Sequence, residues 1–219
     1  MQKLDARLNA ISVQIRATTH VDVGSDHGRL LASLIHSGRI ERGIAIENKQ
    51  GPYRNSIAAL KDLPVDVRLG DGLAPLCEGE ADSLSICGMG GEAIVRIVEA
   101  FPQRVPPQVC VQPNRHPELV RRWALRSGFH IKDEQTVGER WRHVILTFAK
   151  CNAGEDPAYD GLDRDAALLF GPLIIKRKQP AFLESLERES QRMRSCEVLC
   201  EQSRHRQEAI CKVLEKHGT

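Results

Sequence analysis

The sequence predicts an α/β fold in which a mostly parallel β-sheet is followed by a helical segment at the C-terminal end. Two observations carry this prediction. Short apolar runs alternate with helical patterns along the first 150 residues, and the chain then changes to a long charged segment that contains neither Gly nor Pro. Because parallel strands need a crossover connection, usually a helix, the alternation favours a parallel sheet with helices on both faces.

The predicted elements follow one another in order. Apolar residues at helical spacing predict a first helix over residues 4–15. The alternation after it gives predicted strands over 19–23, 43–46, 65–69, 83–87 and 108–112, and predicted helices over 28–36, 53–60, 93–100 and 118–127. Two further strands, 129–134 and 141–149, are joined by a short turn at Gly138 and should pair antiparallel. A mostly parallel sheet that ends in such a hairpin is the layout of Rossmann-like class I methyltransferases.

The C-terminal part has a different composition. Residues 152–161 are rich in Gly, Asp and Pro, which indicates a linker. Residues 181–217 carry a thin apolar stripe on a charged background, which is typical of a long helix or an antiparallel helical hairpin of coiled-coil type. We therefore predict two domains, residues 1–155 with the sheet and residues 156–219 with the helices.

Charge and cysteine content narrow the classes of partner and compartment. The net charge is +2, and residues 171–219 hold ten Lys/Arg against seven Asp/Glu, a mild basic bias. Aromatic residues make up 4%, which argues against a binding surface of stacked rings. The seven cysteines form no CxxC pair, and neither a signal peptide nor a membrane-length apolar run is present. We expect free thiols in a cytoplasmic protein, with no metal site and no membrane partner.

A glycine-bearing turn follows the first predicted strand. In the segment DVGSDHG, residues 22–28, Gly24 ends the strand and Gly28 opens a helix. Such a turn presents backbone N–H groups and the positive end of a helix to an anionic group, although a turn without a ligand has the same sequence features. The spacing departs from the G-x-G-x-x-G of NAD-binding loops, which argues against hydride transfer with NAD.

Acidic residues stand at the ends of the next two predicted strands. Glu47 lies 23 residues after Gly24, where nucleotide-binding sheets place an acid on the ribose hydroxyls. Asp71 follows the third strand and could accept a hydrogen bond from an adenine amino group. Each carboxylate alone is also typical of a solvated surface, but parallel strands end at one crevice, which favours a common ligand site.

Two polar segments follow the fourth and fifth predicted strands. The loop Gly88-Met89-Gly90-Gly91 lets the backbone approach a flat or crowded ligand, and in methyltransferases this loop faces the methyl acceptor. The segment Gln112-Pro113-Asn114 offers two amides that could bind donor and acceptor edges of a base. A flexible turn and an ordinary exposed loop are the alternative interpretations.

Basic residues cluster near these acceptor segments and again at the entrance to the C-terminal helices. A phosphate track for RNA is one interpretation, and a solvated helix face is the other. The candidate RNA contacts are Arg115, Arg121, Arg122, Lys176, Arg177 and Lys178.

Together these motifs resemble the TrmK family of bacterial tRNA (adenine-22, N1) methyltransferases. The matching segments keep the family order and cover almost the whole chain: VDVGSDHGRL (21–30), AIENKQGP (45–52), RLGDGL (68–73), EADSLSICGMGG (80–91), VCVQPN (109–114) and FGPLIIKRKQPAFL (170–183). The resemblance implies a Rossmann-like catalytic domain with a C-terminal coiled-coil domain. It also implies methyl transfer from S-adenosyl-L-methionine to N1 of an adenosine in the D-arm region of tRNA, at position 22.

The resemblance further implies roles by position. Residues implied to bind S-adenosylmethionine are Asp22, Gly24, Ser25, Asp26, His27, Gly28, Glu47, Asn48, Asp71, Gly72 and Gly88. Residues implied to act at the methyl acceptor are Asp26, Gly88, Met89, Gly90, Gln112 and Asn114. Adenine N1 carries an in-plane lone pair, so we expect catalysis by alignment without a general base. Asp26 is the candidate that favours the developing positive charge, and capping of the adjacent helix is its alternative role.

Two other functions fit parts of the same pattern. One is an S-adenosylmethionine-dependent methyltransferase that acts on another RNA or on a small molecule. The other is a Rossmann domain that binds RNA without catalysis. We expect tRNA as the partner and a monomer or a weak homodimer as the assembly.

Overall fold

The structure is a computed structural model that describes residues 4–25, 27–138, 143–151, 154–196, 198 and 200–217. The chain divides into two compact units, Met1–Asn152 and Ala153–Thr219. None of the helices in the described part of the chain combines the length and the apolar character that a membrane crossing needs.

The described residues of the first unit form a seven-stranded sheet. Its strands are β1 (Ala17–Val23), β2 (Ile40–Glu47), β3 (Val65–Leu69), β4 (Ser83–Gly90), β5 (Gln108–Arg115), β6 (Phe129–Val137) and β7 (His143–Lys150). Their order across the sheet is β3-β2-β1-β4-β5-β7-β6. The neighbours from β3 to β5 pair in parallel, whereas β7 runs antiparallel to both β5 and β6. The predicted mostly parallel sheet with a terminal antiparallel hairpin is confirmed.

Helices pack along the described part of the sheet, and most of them bury apolar residues. They are α1 (Ala6–Gln14), α2 (Arg29–His36), α3 (Gln50–Leu60), α4 (Gly91–Ala100) and α5 (Pro117–Arg126). Asp5 caps the N-terminus of α1, where its side chain accepts a hydrogen bond from the Leu8 backbone N–H at 2.7 Å. In α2, Leu30, Leu31 and Leu34 are buried, as the 3.6-residue period requires. Contacts join α1 to α2 and α4 to α5.

The strands β4 and β5 extend beyond the carboxyl ends that the sequence predicts for them. Predicted strands end at Cys87 and Gln112, but β4 continues to Gly90 and β5 to Arg115. Pairing resumes beyond a bulge after Cys87, with Met89 opposite Pro113 and Gly90 opposite Arg115. The prediction of a loop over residues 88–90 is therefore wrong. Of the last predicted strand, residues 141 and 142 lie outside the described residues.

The second unit is helical in its described part. Its helices are α6 (Arg164–Phe170), α7 (Pro172–Arg177), α8 (Pro180–Arg194) and α9 (Glu201–His217). The last two pack side by side, where Arg206 pairs with Glu189 and the Gln207 amide donates to Ser190 Oγ at 2.9 Å. The predicted hairpin is present, and its coiled-coil character stays a prediction.

Candidate active site

The sheet creates a crevice where its strand order changes direction. From β1 the chain proceeds to β2 on one side, whereas β4 lies on the other side and leads to β5. In open α/β sheets, ligands bind outside the carboxyl ends of the strands at such a switch point. A cavity of about 310 Å³ lies there, lined by Arg7, Leu8, Asp22, Gly24, Ser25, Leu30, Cys87, Gly88 and Met89. This volume is within the range of small-molecule sites.

Asp22 places a carboxyl group in this cavity from the end of β1. Its side chain is buried, and it accepts a hydrogen bond from Ser85 Oγ at 2.5 Å. Burial raises the pKa of Asp22 to about 6, the Ser85 hydrogen bond opposes that rise, and the negative charge of Glu47 adds to it. A cationic ligand group would stabilise the ionised form.

The turn after β1 has the backbone that its glycines allow. Gly24 has φ +74°, and a Cβ there would lie 2.6 Å from Cε of Met89. Gly28 has φ +68°, and the side chain of Leu60 fills the space next to it. His27 is exposed and also has a positive φ of 67°. Asp26, a candidate for both cofactor binding and catalysis, lies outside the described residues.

Ser25 places a buried hydroxyl against the same cavity. Within the described residues its Oγ makes no hydrogen bond, although it lies close enough to Asp22 to lower the pKa of that carboxyl. A buried polar atom of this kind carries a desolvation cost unless a ligand or water completes its hydrogen bonding.

The other predicted cofactor residues stand at the ends of β2 and β3. Glu47 is buried and accepts a hydrogen bond from Ser56 Oγ at 3.4 Å, whereas Asn48 and Asp71 are exposed. Gly72 is buried and has φ +55°, with Ile97 against it. These four residues do not line the 310 Å³ cavity.

A directional chain of hydrogen bonds organises the acceptor side. Arg7 Nη1 donates to Gln112 Oε1 at 2.8 Å, Gln112 Nε2 donates to Asn114 Oδ1 at 3.0 Å, and Asn114 Nδ2 donates to the Gly88 carbonyl at 2.6 Å. The guanidinium has only donors, so it fixes which end of the Gln112 amide faces it. With the Gln112 oxygen facing Arg7, its Nε2 must donate to Asn114 Oδ1, which leaves Asn114 Nδ2 to donate to the Gly88 carbonyl.

These hydrogen bonds give Gln112 a different role from the one that the sequence predicts. Contrary to the prediction from the sequence, its amide presents no free edge to a base, because the residue is 0% exposed. It instead positions Asn114, which is exposed beside Gly88 and Met89. Gly88 itself has φ +76°, a backbone conformation that L side chains rarely adopt.

Sequence reasoning missed Arg7 and a group of buried polar residues. Arg7 lies three residues after Leu4 and one before Leu8, so it falls within the apolar stripe of α1, and a charge in such a stripe is the signal that could have revealed it. His20, Ser83 and Ser85 are also buried beside Asp22. Their alternation with apolar residues along β1 and β4 was the available signal.

Five of the six predicted RNA contacts are exposed, and the sixth, Arg121, is buried. Arg115 and Arg122 are exposed in the first unit, and Arg122 lines a groove of about 580 Å³ with Arg96 and Arg126 between α4 and α5. The predicted RNA contacts in the second unit are also exposed, and they are Lys176, Arg177 and Lys178.

The prediction of Arg121 as an RNA contact is wrong. Its side chain is 1% exposed, and its Nε donates at 2.7 Å to Oε1 of Glu134, which is 0% exposed. Arg121 on α5 is thus held in a buried ion pair with a carboxylate of β6, and its guanidinium has no exposed surface that a phosphate could contact.

Comparisons with known proteins agree with this architecture. A family model described as tRNA (adenine(22)-N(1))-methyltransferase, TrmK, matches residues 20–217. The Bacillus subtilis (strain 168) enzyme of that name is 31% identical over 201 residues, which cover 88% of this chain and 84% of the relative.

Solved structures give the same result. The crystal structure of the B. subtilis M1A22 tRNA methyltransferase TrmK has a TM-score of 0.85 and 28% identity, covering 98% of this chain and 100% of that one. The Streptococcus pneumoniae protein Sp1610 in complex with S-adenosyl-L-methionine has a TM-score of 0.79 and 26% identity, covering 97% of this chain and 100% of that one. The chain therefore belongs to the TrmK family of S-adenosylmethionine-dependent tRNA (adenine(22)-N(1))-methyltransferases.

Proposed function

We propose that this chain transfers a methyl group from S-adenosyl-L-methionine to N1 of adenosine 22 in the D-arm region of tRNA. The observation that carries the proposal is the switch-point cavity. A buried carboxyl group lines it, and so does a glycine segment whose carbonyl is held by the Arg7–Gln112–Asn114 hydrogen bonds.

The residues at the cavity fit the proposed cofactor. Asp22 offers a carboxyl group suited to a cationic group, and the Ser25 hydroxyl is buried without a hydrogen bond among the described residues. Gly24 keeps the turn free of a side chain. Glu47 and Asp71 would hold the ribose and adenine parts, with Asn48, Gly72, His27 and Gly28 around them, and Asp26 would complete the loop.

The acceptor side needs positioning more than proton transfer. S-adenosylmethionine, when bound, supplies an electrophilic methyl group, and adenine N1 has a lone pair at neutral pH. The chain would therefore align and desolvate the base without a general base. Asn114, Gly88, Met89 and Gly90 would form the surface against the base, and Gln112 would hold Asn114 in position.

Exposed arginines next to the acceptor segments and in the α4–α5 groove would bind the phosphates of the tRNA, in a groove that Glu92 and Glu99 also line. The exposed Arg115 follows Asn114 directly, and the α4–α5 groove adds Arg96, Arg122 and Arg126. Arg126 also pairs with Glu99 at 2.8 Å, so a phosphate would compete with that carboxylate. In the second unit, Lys176, Arg177 and Lys178 would bind other parts of the tRNA.

One altered tRNA tests the methylated position, and two arginine variants test the tRNA-binding surface. A tRNA transcript with guanosine at position 22 should accept no methyl group, and transfer to it at the wild-type rate would contradict the site assignment. Arg115→Ser and Arg122→Ser should each reduce the slope of log affinity against log salt by about one. The matched control Lys61→Ser, at the exposed end of α3, should leave the slope unchanged.

We also infer that the protein works in the cytoplasm, as a monomer or a weak homodimer, without a membrane partner. All seven cysteines are free thiols, which suits a reducing compartment. Light scattering across a concentration series would test the assembly, and a stable tetramer would contradict it.

A further inference from the structure

Four buried polar side chains form a continuous hydrogen-bonded row beneath the cavity. Ser83 Oγ lies 2.6 Å from His20 Nδ1, His20 Nε2 lies 2.8 Å from Ser85 Oγ, and Ser85 Oγ donates to Asp22 Oδ1 at 2.5 Å. All four residues are at most 3% exposed. Only the last of them, Asp22, lines the cavity.

The sheet register places these side chains together. β1 and β4 are parallel neighbours, with His20 opposite Ser83 and Asp22 opposite Ser85. Because side chains alternate between faces with a period of two, all four lie on the same face of the sheet. The row is therefore built into the two strands that border the switch point.

The number of protons on these four side chains determines which group donates and which accepts in each hydrogen bond. Burial lowers the pKa of His20 to about 3, so the imidazole is neutral and carries one N–H. When Asp22 is ionised, the single Ser85 proton is donated to its carboxylate, and Ser85 must accept from His20. The N–H is then on Nε2, and Nδ1 accepts the Ser83 proton.

We propose that Ser83, His20 and Ser85 form a hydrogen-bond relay that positions the Asp22 carboxylate and holds it in its ionised form for a cationic group of the cofactor. The three are positioning residues, since they act through Asp22. Protonation of Asp22 would favour the opposite direction, in which both hydroxyls turn and the imidazole changes tautomer. The proposal rests on the proposed cofactor site.

The surroundings of Asp22 make this support necessary. Burial raises its pKa to about 6, and the Ser85 hydrogen bond is the largest contribution that opposes the rise. Among the described residues, the other titratable or charged groups around it are His20 on β1, Glu47 on β2, Cys87 on β4, Cys110 on β5 and Arg7 on α1. Burial raises the pKa of both thiols, so they stay neutral near pH 7.

The first test measures the affinity of the full chain for S-adenosylmethionine by calorimetry between pH 5 and pH 9. Affinity should fall as the pH drops through the pKa of Asp22, because the cation needs the ionised carboxyl. Ser85→Ala should move the midpoint upward by about one pH unit or more. Ser85→Thr, which keeps the hydroxyl, should restore it. Ser190→Ala, a buried serine of the second unit, is the matched control and should leave the midpoint unchanged.

A loss of affinity in Ser85→Ala that is equal at every pH would indicate a purely structural role and overturn the proposal. A second measurement needs neither the variant nor the cofactor. Nitrogen-15 NMR of the ligand-free wild type should show His20 neutral with its proton on Nε2 at pH 8. A proton on Nδ1 would overturn the relay even if the cofactor binds, whereas the expected tautomer without cofactor binding would contradict only the proposed function.

Discussion

Arg7 is the residue whose removal tests the acceptor side most sharply. Its guanidinium donates to a fully buried amide oxygen at 2.8 Å, so Arg7→Ala leaves Gln112 Oε1 without that donor. A hydrogen bond to a charged group contributes about 1.5–3 kcal/mol. If the loss falls on the arrangement of Asn114 and Gly88, it corresponds to a decrease of roughly 10- to 150-fold in kcat.

The assay is single-turnover methyl transfer to saturating unmodified tRNA, with the affinity for S-adenosylmethionine measured in parallel. Arg39→Ala is the matched control, because Arg39 also holds α1, through the carbonyls of Val13 and Ile15, without contacting the acceptor side. Its kcat should stay within about threefold of the wild type. A wild-type rate in Arg7→Ala would show that the hydrogen bonds from Arg7 to Gly88 do not organise the acceptor site.

Three further predictions concern the scaffold. Arg121→Met should lower the free energy of unfolding by about 3–5 kcal/mol, because it removes the guanidinium that pairs with the buried Glu134 carboxylate; urea titration measures this, and a change below about 1 kcal/mol would contradict it. Gly91→Ala should destabilise the chain and abolish methyl transfer, because the new Cβ would collide with the backbone carbonyl oxygen of His116 in the β5–α5 turn; a soluble, active variant would contradict it. Hydrogen bonding to Arg68 lowers the pKa of Glu80 to about 2. This pair should therefore stabilise the fold above pH 4.5 and lose that effect as the pH falls towards 2. In Glu80→Gln the melting temperature should depend less on pH in that window, and an unchanged pH profile would contradict the prediction.

The sequence was sufficient for the features that depend on local pattern. Strand and helix order followed from periodicity, and the placement of Asp22 and Gly24 at the crevice followed from the rule that ligands bind at strand ends. The family motifs supplied the cofactor and the substrate class.

Features that depend on tertiary pairing were beyond the sequence. Arg121 and Arg122 are neighbours of the same type, yet one faces a buried carboxylate from β6 and the other faces solvent. Gln112 was expected at the surface of a loop, but continued pairing of β5 with β4 keeps it inside. The burial of such side chains depends on which strands and helices pack together, and the local spacing of residues does not predict this packing.

The most direct test of the proposed function is transfer of a labelled methyl group from S-adenosylmethionine to tRNA that lacks modifications, followed by nucleoside analysis of the product. We expect label in 1-methyladenosine and in no other nucleoside. Label in a different nucleoside, or no transfer by protein that binds S-adenosylmethionine, would contradict the assignment of adenine N1 as the methyl acceptor.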